Sequence, residues 1–173
     1  MVDFRGNIEK QLEAYAPYIK GNLLASLVAI KGMSGPAELS GDPPFSSLDG
    51  FALDKAFGRL GWGFGSLDTR VWLGIALSVS GRPTLTSQEL RYICEVVDPL
   101  TIVALDNAAR IALIDAFTSA EEGFMADFTS GTETWALGRH LVSVDGFEAA
   151  LDDEAAKQRV WAQLKRCVPA SIR

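Results

Sequence analysis

Apolar positions along the chain follow two alternating periods. Phe4, Ile8, Leu12, Tyr15 and Ile19 recur at helical spacing, which predicts an amphipathic helix over 3–19 closed by Gly21. Residues 23–30 form a short apolar run with Val28 and Ile30 near its end, the pattern of a buried parallel strand; a short buried helix fits the same run. Residues 31–49 are rich in glycine, proline and serine and read as a long loop, which in a compact domain points to function. Leu53, Ala56, Phe57 and Leu60 then mark a helix over 51–60, with Asp49 as a cap and Gly61 as the stop.

A turn at 61–65 leads to a second strand at 70–77. Thr86-Ser-Gln-Glu89 is a capping box, and the helix it opens carries Leu90, Ile93, Cys94 and Val97 on one face and must end before Pro99. The third strand spans 100–105. Asp106 or Asn107 caps the next helix, whose stripe is Ala109, Ala112, Leu113, Ala116 and Phe117. Phe128, Thr132, Thr134 and Trp135 suggest a short hairpin within 118–138 that turns at Ser130-Gly131. A fourth strand at 140–144 precedes a final helix with Ala156, Val160, Leu164 and Val168 on its buried face. One helix followed by four strand–helix units predicts an α/β fold: a three-layer α/β/α sandwich around a central, mostly parallel four-stranded sheet. Ligands in such sheets lie at the C-terminal ends of the strands, here 31–49, 76–84, 106–107 and 145–152.

Composition narrows the class. The 173 residues are 48% apolar, enough for a sizeable core and too apolar for disorder. The longest apolar stretch falls far short of the roughly 20 residues of a spanning helix, so no membrane association is expected. The N-terminus has no basic region leading into an apolar one, so no signal peptide is expected. Cys94 and Cys167 lie on apolar helix positions and read as buried free thiols of a cytoplasmic protein. A net charge of −6 argues against binding nucleic acid through phosphates alone. A local basic cluster remains at Arg159, Lys165, Arg166 and Arg173.

Three segments share a resemblance. The loop from Gly32-Met-Ser-Gly35 through Pro44-Phe45 to Gly50 is the first. The strand and helix Pro99-Leu-Thr-Ile-Val-Ala-Leu-Asp-Asn-Ala-Ala109 is the second. The C-terminal stretch carrying Leu151, Lys157, Trp161 and Lys165 is the third. In this order and spacing they resemble the uracil-DNA glycosylase superfamily, over about residues 27–165. The resemblance implies one glycosylase-like domain over 1–173, with 1–20 as its N-terminal helix, and a nucleic acid or nucleobase as partner. A base flipped out of the duplex would enter a pocket formed by Gly32, Met33, Phe45, Gly74, Asp106, Asn107 and Gly146, with Phe45 as the stacking aromatic.

The family's polar groups are replaced. Met33 takes the place of its acidic or amide residue, no asparagine lies near Gly74, Asp106 stands where glycine is usual, and the last-motif histidine position falls on Gly146-Phe147. The expectation is a divergent member that binds a base, nucleotide or damaged nucleic acid, with glycosylase activity altered or lost. A non-enzymatic interaction protein reusing the fold is the alternative.

A small-molecule enzyme is a third possibility. Glu38, Asp42 and Asp49 in the first loop and Asp145 in the last could meet at one sheet edge, and Asp42 with Asp145 are the acid–base candidates. His140, the single histidine, reads as structural, and no metal-ligand spacing is present. Two cysteines cannot hold a four-thiolate cluster, so no cofactor is expected. Gly32 and Gly35 match no phosphate-binding fingerprint. Trp62, Phe64 and Trp72 could stack on nucleic acid but suit a core better. Nothing in the sequence marks an oligomeric state.

Overall fold

The computed structural model describes residues 2–118 and 127–169. The chain forms an α/β structure with a six-stranded mixed sheet, where the pattern predicts four strands. In chain order its elements are α1 (Phe4–Gln11), β1 (Ile19–Gly21), β2 (Leu27–Lys31), α2 (Pro36–Ser40), α3 (Leu48–Arg59), β3 (Leu73–Ala76), α4 (Ser87–Val97), β4 (Thr101–Ala104), α5 (Asn107–Phe117), β5 (Glu133–Ala136), β6 (Arg139–Ser143) and α6 (Glu154–Leu164). The sheet order is β1-β3-β2-β4-β6-β5. The inner four, β3, β2, β4 and β6, pair in parallel and are the four strands of the sequence pattern. Both added strands are antiparallel edges, β1 on β3 and β5 on β6.

Each edge strand corrects an expectation. The helix over 3–19 stops at Gln11, because Pro17 cannot donate within an α-helix and the chain passes into 3-10 turns from Glu13 to Tyr18. Ile19–Gly21 then pairs with Leu73–Ile75. The hairpin turns at Leu137-Gly138, not at Ser130-Gly131. Both turn residues have positive φ (49° and 78°), the conformation that a two-residue hairpin loop requires. Residues 119–126 of the hairpin region and Arg173 of the basic cluster lie outside the described residues.

Side chains of the inner strands divide between two cores. Val28, Ile30, Ile75 and Ile102 pack with Leu90, Ile93, Leu113 and Phe117 of α4 and α5. Leu27, Ala29, Val103 and Val142 face Leu53 and Phe57 of α3 and Val160 and Leu164 of α6. The helices thus cover both faces of the sheet. The capping box forms as its sequence implies, with Thr86 N–H donating to Glu89 at 2.8 Å and Glu89 N–H donating to Thr86 Oγ1 at 3.1 Å. Asp106 caps α5 through Ala109 N–H at 2.8 Å. No helix among the described residues is long and apolar enough to cross a membrane.

The register brings the C-terminal ends of the inner strands level. Lys31 lies opposite Ala76, Ile30 opposite Ala104, and Ala104 opposite Ser143. Loops 32–47, 105–106 and 144–149 therefore leave the sheet side by side. The first contains a helix, α2, because Pro36 fits a first helical turn and Glu38 reaches back to Gly35 N–H at 2.9 Å. Phe45 returns to the sheet and lies against Gly74. A Cβ on Gly74 would stand 2.5 Å from the Phe45 ring and 3.0 Å from Trp72. Replacing Gly74 with alanine is expected to overpack this contact and lower stability by about 1–3 kcal/mol. It would be read as a lower urea midpoint at constant slope; an unchanged midpoint would contradict the packing described.

Candidate functional site

The last residue of β2 is a lysine buried among carboxylates. Lys31 has 4% of its side chain exposed. Its ammonium lies 2.7 Å from Glu38, 2.5 Å from Asp49 and 3.6 Å from Glu148. The Phe45 ring covers another side at 4.7 Å. Burial alone would lower the lysine pKa, but the bonds from Asp49 and Glu38 outweigh it and the net shift is upward. Lys31 therefore stays charged and is not a Schiff-base nucleophile, which needs a depressed pKa.

Each carboxylate is held differently. Glu38, fully buried on α2, accepts from Gly35 N–H and Phe45 N–H, both at 2.9 Å, as well as from Lys31. Asp49, in the first turn of α3, accepts from Ser47 Oγ at 3.0 Å and Gly50 N–H at 2.8 Å. Ser47, not Asp49, occupies the cap position of this helix. Glu148 is half-buried beside the Gly146-Phe147 turn. Burial pushes its pKa up, the negative charges of Asp49 and Glu38 add to the rise, and Lys31 opposes it.

A second buried network fixes the loop that carries the first. Arg70 donates to Asp54 at 3.0 Å and 3.3 Å and to the Phe45 carbonyl at 2.7 Å, while Trp72 Nε1 donates to Asp54 at 2.8 Å. Phe45 is thus gripped through its N–H by Glu38 and through its carbonyl by Arg70. That grip holds it at φ 59°, a conformation costly for a bulky residue. Its ring is completely buried, edge-on to Trp72 at 5.3 Å. Phe45 supports the cluster from below and does not line an open cavity.

A cavity of about 130 Å³ lies above the cluster. Leu105 and Phe147 provide apolar walls, Met33 stands at the rim with 67% of its surface exposed, and Asp49, Asp106 and Glu148 provide the polar side. Asp106 joins β2 to α5: it accepts from Gly32 and Met33 N–H at 3.0 Å and from Ala109 N–H. A Cβ on Gly32 would come within 2.4 Å of Ala108, so the approach requires glycine. These amides, like Gly35 N–H, are occupied by the protein's own carboxylates and are not free to cradle a phosphate.

Of the pocket residues expected from sequence, Met33, Asp106 and Gly146 line this cavity, and Gly32 adjoins it through Asp106. Phe45 and Gly74 lie beneath in contact with each other, and Asn107 is exposed and accepts from Arg110 at 2.6 Å. The acid–base candidates do not meet. Asp42 borders a separate groove with Pro17, Ile19 and Lys20. Asp145 accepts from Ser130 and from Gln163 at 3.0 Å, and these bonds with nearby Arg159 hold its pKa down. Glu38, Asp49 and Glu148 gather around Lys31 instead.

Sequence reasoning missed Lys31 and Glu148. The available signals were a charged residue ending an otherwise apolar strand, and a carboxylate one residue past the motif turn. His140 is buried, stacked on Trp135 at 4.8 Å and 2.6 Å from Glu133, as a structural histidine would be. Trp72 is buried, Trp62 bonds to the Cys167 carbonyl and Phe64 is 77% exposed, so the three form no common platform. Cys94 and Cys167 are buried free thiols. Among the described residues no three His, Cys, Asp or Glu side chains are grouped to hold a metal.

No protein-family model and no curated protein matches the chain.

Replacing Lys31 with methionine would leave Glu38 and Asp49 buried without a counter-charge. The expected cost is about 3–5 kcal/mol of stability, measured by urea unfolding; near wild-type stability would contradict the role assigned to Lys31. Glu148 gives a pH signature. Its folded-state pKa is raised, so its contribution is fully present below the usual value of 4.5 and is lost as pH rises through the folded value. Wild type should therefore lose stability relative to Glu148→Gln as pH rises above 4.5. Parallel curves for the two proteins would contradict the shift.

Proposed function

We propose that this protein is a divergent relative of the uracil-DNA glycosylases whose cavity binds one base-sized ring, with base excision altered or lost. The observation that carries the reading is the cavity's place and size. It opens where loops leave the C-terminal ends of β2 and β4, the usual ligand edge of a parallel sheet. Its volume of about 130 Å³ is close to that of a cavity that takes one benzene ring, roughly 150 Å³. The lining combines apolar Leu105 and Phe147 with the carboxylates of Asp49, Asp106 and Glu148, the mixture a heterocycle needs.

Altered chemistry follows from the groups present. The histidine that would stabilise a departing base anion is replaced by the Gly146-Phe147 turn, and the ionisable group that follows it in the cavity lining is Glu148. A carboxylate there repels an anion, and once protonated it can donate a hydrogen bond. Lys31 offers no substitute, since its ammonium is enclosed by Glu38, Asp49 and the Phe45 ring. The interaction-protein reading calls for a cavity filled by its own side chains. Met33 stands at the rim and Phe147 forms a wall, which favours the ligand reading.

The test combines nucleobases, their oligonucleotides and a blocking variant. Free pyrimidine and purine bases should shift amide NMR signals of Gly146, Glu148 and Ala149. Uracil- or hypoxanthine-containing DNA should be cleaved to abasic sites slowly or not at all. Ala149→Trp, at an exposed residue lining the cavity, should abolish the base-induced shifts while the rest of the spectrum is preserved. No response to any base, or shifts unchanged by the tryptophan, would refute the proposal.

A further inference from the structure

The polar side of the cavity accepts hydrogen bonds and has few to give. Lys31 is the cation of its lining, and two of its three N–H groups make short bonds to Glu38 and Asp49. The third side of the ammonium faces Glu148, and the Phe45 ring shields the remainder. Asp49 accepts from three donors and Asp106 from three backbone amides. Glu148 differs from both. Among the described residues it has one ionic partner, Lys31 at 3.6 Å, and 36% of its side chain is open. Its carboxylate has acceptor positions to offer an occupant of the cavity.

Charge adds to this asymmetry. One ammonium faces three carboxylates, so the ionised cluster has two uncompensated negative charges in a largely buried setting. A neutral occupant leaves that excess in place. An anionic occupant worsens it. A cation with N–H groups relieves it and supplies the donors that Glu148 lacks. Interactions of this kind gain strength where water is partly excluded. Burial first, and then the charges of Asp49 and Glu38, raise the Glu148 pKa against the opposing effect of Lys31.

We infer that the cavity selects a cationic, amino-substituted nitrogen heterocycle, such as an N-alkylated base, over neutral uracil-like rings and over any anion. This rests on the reading of the cavity as a base-sized site and adds the class of ring. Glu148 is the residue that sets the preference: its carboxylate receives the ring's N–H while Leu105 and Phe147 hold the ring faces.

Three pyrimidines of similar size separate the cases: 3-methylcytosine, which is largely a cation slightly below neutral pH, neutral uracil, and orotate, an anion. Titration calorimetry on the full-length protein should show 3-methylcytosine binding at least about tenfold more tightly than uracil, with no measurable binding of orotate. Glu148→Gln, checked for an unchanged circular dichroism spectrum, should reduce that preference to about threefold or less. If uracil or orotate binds as tightly as 3-methylcytosine, the charge selection is wrong and the base-sized site stands. If none of the three binds, both fail. If the preference survives Glu148→Gln, the assignment to Glu148 is overturned.

Discussion

The pairing of the Lys31 ammonium with Glu38 and Asp49 is the interaction on which the rest of the candidate site depends. Glu38 is fully buried and Asp49 nearly so, and an isolated buried carboxylate is very costly. With Lys31 at 2.7 Å and 2.5 Å, both act as acceptors for the loop between β2 and α3. Glu38 gathers the amides of Gly35 and Phe45, and Asp49 gathers Ser47 and Gly50. A loop rich in glycine and proline thereby acquires one shape. Arg70 and Asp54 close it from the other side by taking the Phe45 carbonyl. Breaking a buried pair of this kind costs far more than the pair contributes against an apolar equivalent, so the cluster is better read as a device for shape than as a source of net stability.

That shape has a chemical consequence. The lysine is committed to its carboxylates and is withdrawn from any ligand. Glu148, which belongs to the last loop and not to the first, meets the same ammonium at greater distance and keeps open acceptor positions. The cavity therefore joins a tightly bonded base to a mouth that keeps an open carboxylate. Its apolar lining and its ring-sized volume restrict what enters, and its carboxylates decide the polarity of the entrant.

Much of the fold was legible because it depends on local pattern. The capping box at Thr86, the Asp106 cap, the stop before Pro99 and the four apolar runs of the inner strands each leave a periodic or positional mark in the sequence. The edge strands leave little. Ile19–Gly21 is three residues long and follows helix-spaced apolar positions that Pro17 prevents from being helical. Within the site, strand order places the loops after β2, β4 and β6 at one edge of the sheet. Which carboxylates meet is set by packing in three dimensions. Asp42 points to another groove beyond the turn at Gly41, and Asp145 is captured by Ser130 and Gln163, both remote in sequence. Lys31 was obscured because a charged residue ending a strand ordinarily marks exposure, and its burial becomes affordable only through Glu38 and Asp49.

The most direct measurement of the central claim is a crystal structure of the protein with a bound nucleobase. The ring is predicted to lie between Leu105 and Phe147, with a ring or amino N–H within hydrogen-bond distance of Glu148 and with Lys31 still paired to Glu38 and Asp49. A ring bound elsewhere on the surface, or a cavity closed by Phe147 with Lys31 released toward solvent, would contradict it.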